Sequence, residues 1–290
     1  MFGPNTLGRF SYDMSFSHRC QSSKKLYDRL TRLIKHKFDL NNYDIVFVPG
    51  SGTFGVEALM RSSINKINVI GNDGKFKNRW DNISCNIVLE NSHTSNSQEM
   101  FCQLETSNSS VYYKEGCIVD AISSFPFYEI PAGTKAFVCC SNKQLGAFPG
   151  ISIVFVRKDC WDLFADDNLF SIMNLSLYRK YSQQSQLPTT APIQLFQQLI
   201  EKVESFDIDL LRSKVILNSN KITSLFDDSD IIGEKICPVI TVKKEAVPSS
   251  VANDFKIYHY NNDYPYYQFF TYSTEDVVYD NFLKEVRKCQ

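Results

Sequence analysis

Ala136-Phe137-Val138-Cys139-Cys140-Ser141-Asn142-Lys143-Gln144-Leu145-Gly146-Ala147-Phe148-Pro149-Gly150 is the stretch on which the reading of this chain turns. Its apolar start, Ala136–Cys140, predicts a buried strand, and the strand runs out into two small polar residues and then a lysine. A lysine at such a place is most often a solvated loop residue. That alternative leaves two things unexplained: the small polar pair Ser141-Asn142 before Lys143, and the turn Gly146–Gly150 after it. Lys143 is therefore a candidate for an amine that forms a Schiff base with a carbonyl.

Two upstream segments give the lysine company. In Ile118–Ser124 an apolar run delivers a carboxylate, Asp120, to its C-terminal end. In Val48-Pro49-Gly50-Ser51-Gly52-Thr53 another apolar run breaks into a glycine turn and then the helical pattern Phe54–Ser62. A glycine turn feeding a helix presents unpaired N–H groups, which suit an anion. Taken singly, the turn reads as steric and the aspartate as a cap. Taken together, the three segments offer what pyridoxal phosphate needs: an amine for its aldehyde, a carboxylate for its pyridinium nitrogen and donors for its phosphate.

The order phosphate loop, aspartate, lysine resembles the fold type I pyridoxal-phosphate enzymes. The wording is similar to their class V aminotransferases, and within that class to alanine–glyoxylate and 2-aminoethylphosphonate aminotransferases. Met1–Leu7 resembles the opening loop, and Ser17-His18-Arg19 the Ser-His-Arg before the first helix. Asn72–Trp80 is similar to a Gly-x-x-Gly-x-Arg stretch, and Thr94-Ser95 to the polar pair of a Glu-Thr-Ser-Thr-Gly loop. The match reaches about residue 200, with shorter echoes beyond.

The resemblance implies an α/β fold: a large domain with a mostly parallel sheet and an N-terminal arm, residues 1–190, and a small C-terminal α+β domain, residues 191–290. It implies an aminotransferase using pyridoxal 5'-phosphate on small-molecule amine and keto substrates, with Lys143 and Asp120 as the catalytic pair. Ser51, Gly52 and Thr53 would hold the phosphate, with Asn142 near it. Phe76 and Ile122 would cover the two ring faces, and Ser95 would sit by the ring substituents. Thr190 would reach the phosphate of a neighbouring subunit, which implies a homodimer with shared sites. A decarboxylase or lyase of the same fold, and a relative that binds the cofactor without turnover, are the alternatives.

Departures from the family pattern fall mainly on the substrate side. Gln268, in Tyr267–Phe270, stands where the family carries an arginine for the acidic group of the substrate. A neutral amide offers no bidentate charged fork. His93 replaces a glutamate before Thr94-Ser95, and Leu187 replaces an aromatic hydroxyl. His93, Gln268 and Arg19 are the candidate substrate contacts. The stretch after Trp80 is shorter than in the family, which implies that a strand–helix unit is missing.

Bulk properties agree with an ordinary globular chain of 290 residues, 43% hydrophobic and 22% charged. A net charge of −1 gives no reason to expect a nucleic-acid partner. No long apolar run or signal-peptide pattern is present, so a soluble, cytoplasmic protein without a membrane partner is expected. The nine cysteines are scattered, with no zinc-type spacing, and reduced, mostly buried thiols are expected. The tyrosines between Tyr258 and Tyr267 lack the basic neighbours of a nucleic-acid platform and read as packing. Helices are expected at Ser22–Phe38, Phe54–Ser62, from Gly74, at Gln98–Glu105, Lys158–Ala165, Ser171–Lys180, through much of Ile193–Phe226, and at Thr274–Cys289. Strands are expected at Asp44–Val48, Ile67–Ile70, Asn86–Leu89, Cys117–Ala121, Ala136–Cys140, Ile151–Val156, Cys237–Lys243, Asp254–Tyr260 and Tyr266–Tyr272.

Overall fold

A computed structural model describes residues 19–90, 94–164 and 171–289. The Met1–Leu7 loop, Ser17, His18 and His93 lie outside the described residues. The chain opens with α1 (Gln21–Lys37), β1 (Tyr43–Gly50), α2 (Gly52–Ser62), β2 (Asn65–Ile70), α3 (Lys75–Glu90) and β3 (Thr94–Cys102). A short hairpin follows, β4 (Leu104–Glu105) and β5 (Ser110–Val111), then β6 (Ile118–Asp120), β7 (Ala136–Cys140), β8 (Gly150–Arg157) and α4 (Leu175–Ser182). The remainder is α5 (Gln194–Glu204), α6 (Ile208–Thr223), β9 (Ile231–Ile232), β10 (Val239–Lys243), α7 (Ser249–Asp254), β11 (Tyr266–Phe270) and α8 (Asp276–Cys289).

Six strands form one sheet in the order β1-β8-β7-β6-β3-β2. β2, β3, β6 and β7 are mutually parallel, and β8 runs antiparallel to both β7 and β1, so β1 points the same way as the parallel set. Helices cover both faces, and the strands alternate accordingly. Along β1, Ile45 and Phe47 face α1 and α5, where they meet Tyr27, Leu30, Ile34, Phe196 and Leu199. Val46 and Val48 face the other way, against Val56, Leu59 and Met60 of α2, Trp80 and Ile87 of α3, and Tyr178 of α4. A sheet buried on both sides selects the apolar runs that the sequence shows at β1, β7 and β8.

Close packing of α2 on this sheet depends on one glycine. A Cβ built on Gly55 lies 1.8 Å from Ser152 Oγ and 2.7 Å from Ser152 Cβ, on β8. Gly55→Ala is therefore expected to destabilise the fold by about 1–3 kcal/mol, and Ser152→Gly to recover part of the loss. Urea unfolding of the two single variants and the double variant measures this, and additive losses would show that the helix has room to retreat.

A second sheet, β11-β10-β9, carries its own core of Ile240, Val242, Phe269, Tyr279, Phe282 and Val286. The β4–β5 hairpin leaves the large sheet to join it: Leu104 packs in that core, with Val111 against it. Ser109 Oγ lies 2.6 Å from both the Val239 carbonyl and Thr241 Oγ1.

Three segments differ from the sequence expectation. Asn86–Leu89 is the last turn of α3 rather than a strand, because Trp80, Ser84 and Ile87 are buried at helical spacing. Gln98–Glu105 is strand rather than helix. Met100, Phe101 and Leu104 imitate a helical stripe in sequence, but in a doubly covered parallel strand Met100 and Phe101 are both buried. Asp254–Tyr260 holds the end of α7 and an isolated bridge from Tyr258 to Gln268 rather than a full strand.

Candidate active site

The parallel strands end on one edge of the large sheet, where open α/β sheets hold their ligands. There a cavity with about 560 Å³ of atom-free space, its mouth included, opens among the ends of β1, β3, β6 and β7. Ser51, Gly52 and Thr53 come to it from the start of α2, Phe76 from α3, Asp120 and Ile122 from the end of β6, and Asn142 and Lys143 from the turn after β7. Cys102, Leu104 and Cys140 complete its walls.

Ser51 is the N-cap of α2, its backbone is extended and its side chain makes no capping bond. The helical ladder begins with the Phe54 N–H donating to the Ser51 carbonyl at 2.9 Å, so the Gly52 and Thr53 N–H groups are left for another acceptor. Gly52 keeps this end open: a Cβ there would stand 2.8 Å from Ile122 Cδ1.

Asp120 is 3% exposed. Its Oδ2 accepts from Trp80 Nε1 at 2.8 Å and its Oδ1 from the Ile122 N–H at 3.0 Å, which fixes the carboxyl in one orientation. Burial pushes it up to about 6, against the pull of those two hydrogen bonds. Lys143 is moved the other way: burial lowers its pKa, against the attraction of Cys140 and Asp120. Its Nζ lies 5.6 Å from the centre of the Phe270 ring on β11, so the second sheet reaches the same cavity. Burial raises the Cys102 and Cys140 thiols, which makes them apolar wall rather than nucleophiles.

Fitness for pyridoxal phosphate follows from this donor set: helix-end N–H groups beside a glycine that must stay bare, a buried carboxyl aimed by two donors, and a half-buried amine. Among the described residues no group of three His, Cys, Asp or Glu side chains suits a metal ion.

Other expected contacts are not brought here. Ser95 is near the start of β3, whose far end, Cys102, pairs with Asp120. Seven residues of strand correspond to roughly 23 Å, so Ser95 cannot adjoin a ring beside Asp120. Gln268 is 1% exposed and its Nε2 donates to the Thr106 carbonyl at 2.7 Å, so its amide is committed within the protein. Leu187 packs in the core under α1 and α5. Arg19 and Thr190 are exposed and neither lines the cavity.

Glu105-Thr106-Ser107 follows the cavity wall at Leu104 directly in the chain and carries the Glu-Thr-Ser letters of the polar loop that Thr94-Ser95 resembles. The same Glu-Thr-Ser signal stood there in plain sequence and matches more letters. Trp80 was also missed as the partner of Asp120, although it follows Phe76 by one helical turn.

No protein-family model matches the chain. The bifunctional phosphonoacetaldehyde hydrolase/aminoethylphosphonate transaminase of Clostridioides difficile (strain 630) is 22% identical over 327 aligned residues, 95% of this chain and 48% of that protein. The chain thus spans about half the length of the curated relative it matches. Among solved structures, a Thermus thermophilus aspartate aminotransferase superposes with a TM-score of 0.76 at 14% identity, covering 94% of this chain and 93% of that one. The alanine–glyoxylate aminotransferase of Nostoc sp. gives 0.74 at 17%, covering 94% and 89%, and the ureidoglycine–glyoxylate aminotransferase of Bacillus subtilis 0.75 at 14%, covering 95% and 87%. Superposition of nearly the whole chain on three aminotransferases named for different substrates gives it the fold that those structures share.

Proposed function

We propose that this chain is a pyridoxal-phosphate-dependent aminotransferase that moves an amino group between an amine or amino acid and a keto acid or aldehyde. The observation that carries the reading is the meeting of Lys143, Asp120 and the α2 N-terminus in one cavity. The aminotransferase relatives support the reaction class over a decarboxylase or lyase.

Bound pyridoxal phosphate supplies an aldehyde for amines and an electron sink for the carbanion formed at the substrate carbon. The chain's own groups supply the rest. The Gly52 and Thr53 N–H groups and Ser51 hold the phosphate at the positive end of α2. Asp120, aimed by Trp80 and Ile122, keeps a proton on the ring nitrogen. Phe76 and Ile122, both in the cavity wall, would cover the two faces of the ring. Lys143 is the nucleophile toward the aldehyde and afterwards the base that carries a proton at its Nζ, and burial raises its neutral fraction for both tasks.

In this reading residues 1–190 form the cofactor domain and 191–290 a small domain, whose first helix, α5, packs back on the large sheet through Phe196 and Leu199. The chain pairs into a homodimer in which Thr190 reaches the neighbouring phosphate. A cytoplasmic setting accords with nine unpaired cysteines, and no helix among the described residues is long and apolar enough to cross a membrane.

Titration of the purified chain with pyridoxal phosphate, then borohydride reduction and peptide mapping, is the direct test. A reducible visible band whose adduct maps to Lys143 is expected, and alanine, aspartate or 2-aminoethylphosphonate as donors should then discharge it. No band, or an adduct on a different lysine, would refute the reading. Sedimentation of the loaded chain as a monomer would refute the part given to Thr190.

A further inference from the structure

Two tyrosines of the 258–267 segment, Tyr260 and Tyr264, pack on the turn after Leu104 and on the start of α3, beside the cavity. Tyr260 OH lies 2.9 Å from Thr106 Oγ1, and its ring meets that of Phe76 edge-on, 6.4 Å between centres. Lys75, the residue before Phe76, places its Nζ 4.1 Å from the centre of the Tyr260 ring and 5.5 Å from that of Tyr264. Tyr264 OH donates to the Ser107 carbonyl, and Gln268 Nε2 to that of Thr106.

The turn they grip is itself joined to the start of α3. Glu105, 1% exposed, accepts through Oε2 from the N–H groups of Phe76 at 2.9 Å and Lys77 at 3.0 Å. Its Oε1 accepts from the Ser107 hydroxyl at 2.6 Å and the Ser107 N–H at 3.2 Å, and Ser107 Oγ in turn accepts from the Lys75 N–H at 3.0 Å. A carboxylate capping the first turn of a helix is the arrangement that fixes where that helix begins. An unbroken chain of bonds thus runs from Tyr260 through Thr106 and Glu105 to the backbone of Phe76.

We propose that Tyr260 is a positioning residue: through Thr106 and Glu105 it fixes the first turn of α3, and thereby the Phe76 ring that walls the cavity. The proposal rests on the reading that this cavity takes pyridoxal phosphate, with Phe76 on one ring face. It makes the small sheet's tyrosines part of cofactor geometry.

Tyr260→Phe keeps the ring and deletes the hydroxyl, and Thr106→Val deletes the same bond from the other side. Loss of one buried neutral hydrogen bond corresponds to about a fivefold change in an equilibrium constant. Two readouts are taken on the full chain. In the absence of cofactor, amide exchange of the peptide containing Phe76 and Lys77 should quicken about fivefold in either variant, with no further change in the double variant. With pyridoxal phosphate, the dissociation constant should rise by a similar factor and the visible circular dichroism per bound cofactor should change, while the borohydride adduct still maps to Lys143. Exchange and dichroism equal to wild type would overturn the proposal, even if the melting temperature falls, because a purely structural bond moves stability alone. Effects that add fully in the double variant would also overturn it. A wild-type chain that binds no cofactor would refute the functional reading instead, and the exchange result would still judge the linkage.

Discussion

Lys143→Ala is expected to remove the borohydride-reducible adduct entirely and to lower turnover by about 10⁴-fold or more, because one side chain serves as both nucleophile and proton carrier. The fold should not suffer. Burial disfavours the Lys143 ammonium, so its deletion relieves the unloaded chain of a poorly solvated cation. Lys143→Arg is the sharper control. It restores a positive charge at the same place, but a guanidinium stays protonated and cannot serve as nucleophile or base. Turnover should remain as low as in the alanine variant, measured as amino transfer from a donor that discharges the wild-type band. Recovery in the arginine variant would mean that only charge is needed there, and would end the case for Lys143 as the reacting amine.

Asp120→Asn is expected to leave the Lys143 adduct intact and to lower turnover by about 10²–10³-fold, since a neutral amide no longer stabilises a protonated ring nitrogen. Its second signature appears without any cofactor. Asp120 titrates at about 6 in the fold, against 3.8 for an unperturbed aspartate, so between those pH values the folded chain holds a proton that the unfolded chain has released. The contribution of Asp120 to stability is therefore fully present below about pH 4 and is lost as pH rises through 6. Asparagine has no such dependence. The difference in unfolding free energy should move by about 2 kcal/mol in favour of the variant between pH 4 and pH 7. Urea denaturation of the unloaded proteins across that range measures it, and a pH-independent difference would show that Asp120 ionises in the fold as it does in water.

Legibility of the sequence followed the physics of each element. β1, β6, β7 and β8 were plain because strands covered on both faces must be continuously apolar, and the glycine turn, the aspartate and the lysine turn sit at the ends of β1, β6 and β7. α3 and β3 were not, because burial on one helix stripe and burial in a covered strand both yield short apolar clusters, and only the neighbours decide between them. The same ambiguity hides the Glu105-Thr106-Ser107 turn, whose letters match the polar loop more closely than Thr94-Ser95 does. Gln268, expected among the substrate contacts, is turned to Thr106 instead. Its amide holds Thr106, so its place on β11 has become part of the linkage between the two sheets.

The hairpin that leaves the large sheet to fill the small one has a consequence for the order of events during synthesis. β1 through β8 emerge from the ribosome before β10 and β11, and domains tend to fold as their residues appear. Leu104 and Val111 pack in a core whose other buried residues run from Ile222 onward, so the nascent large sheet would present them largely uncovered. Leu104 is also a wall of the cavity. The site whose three reacting segments all lie before residue 150 is thus completed by residues made after them.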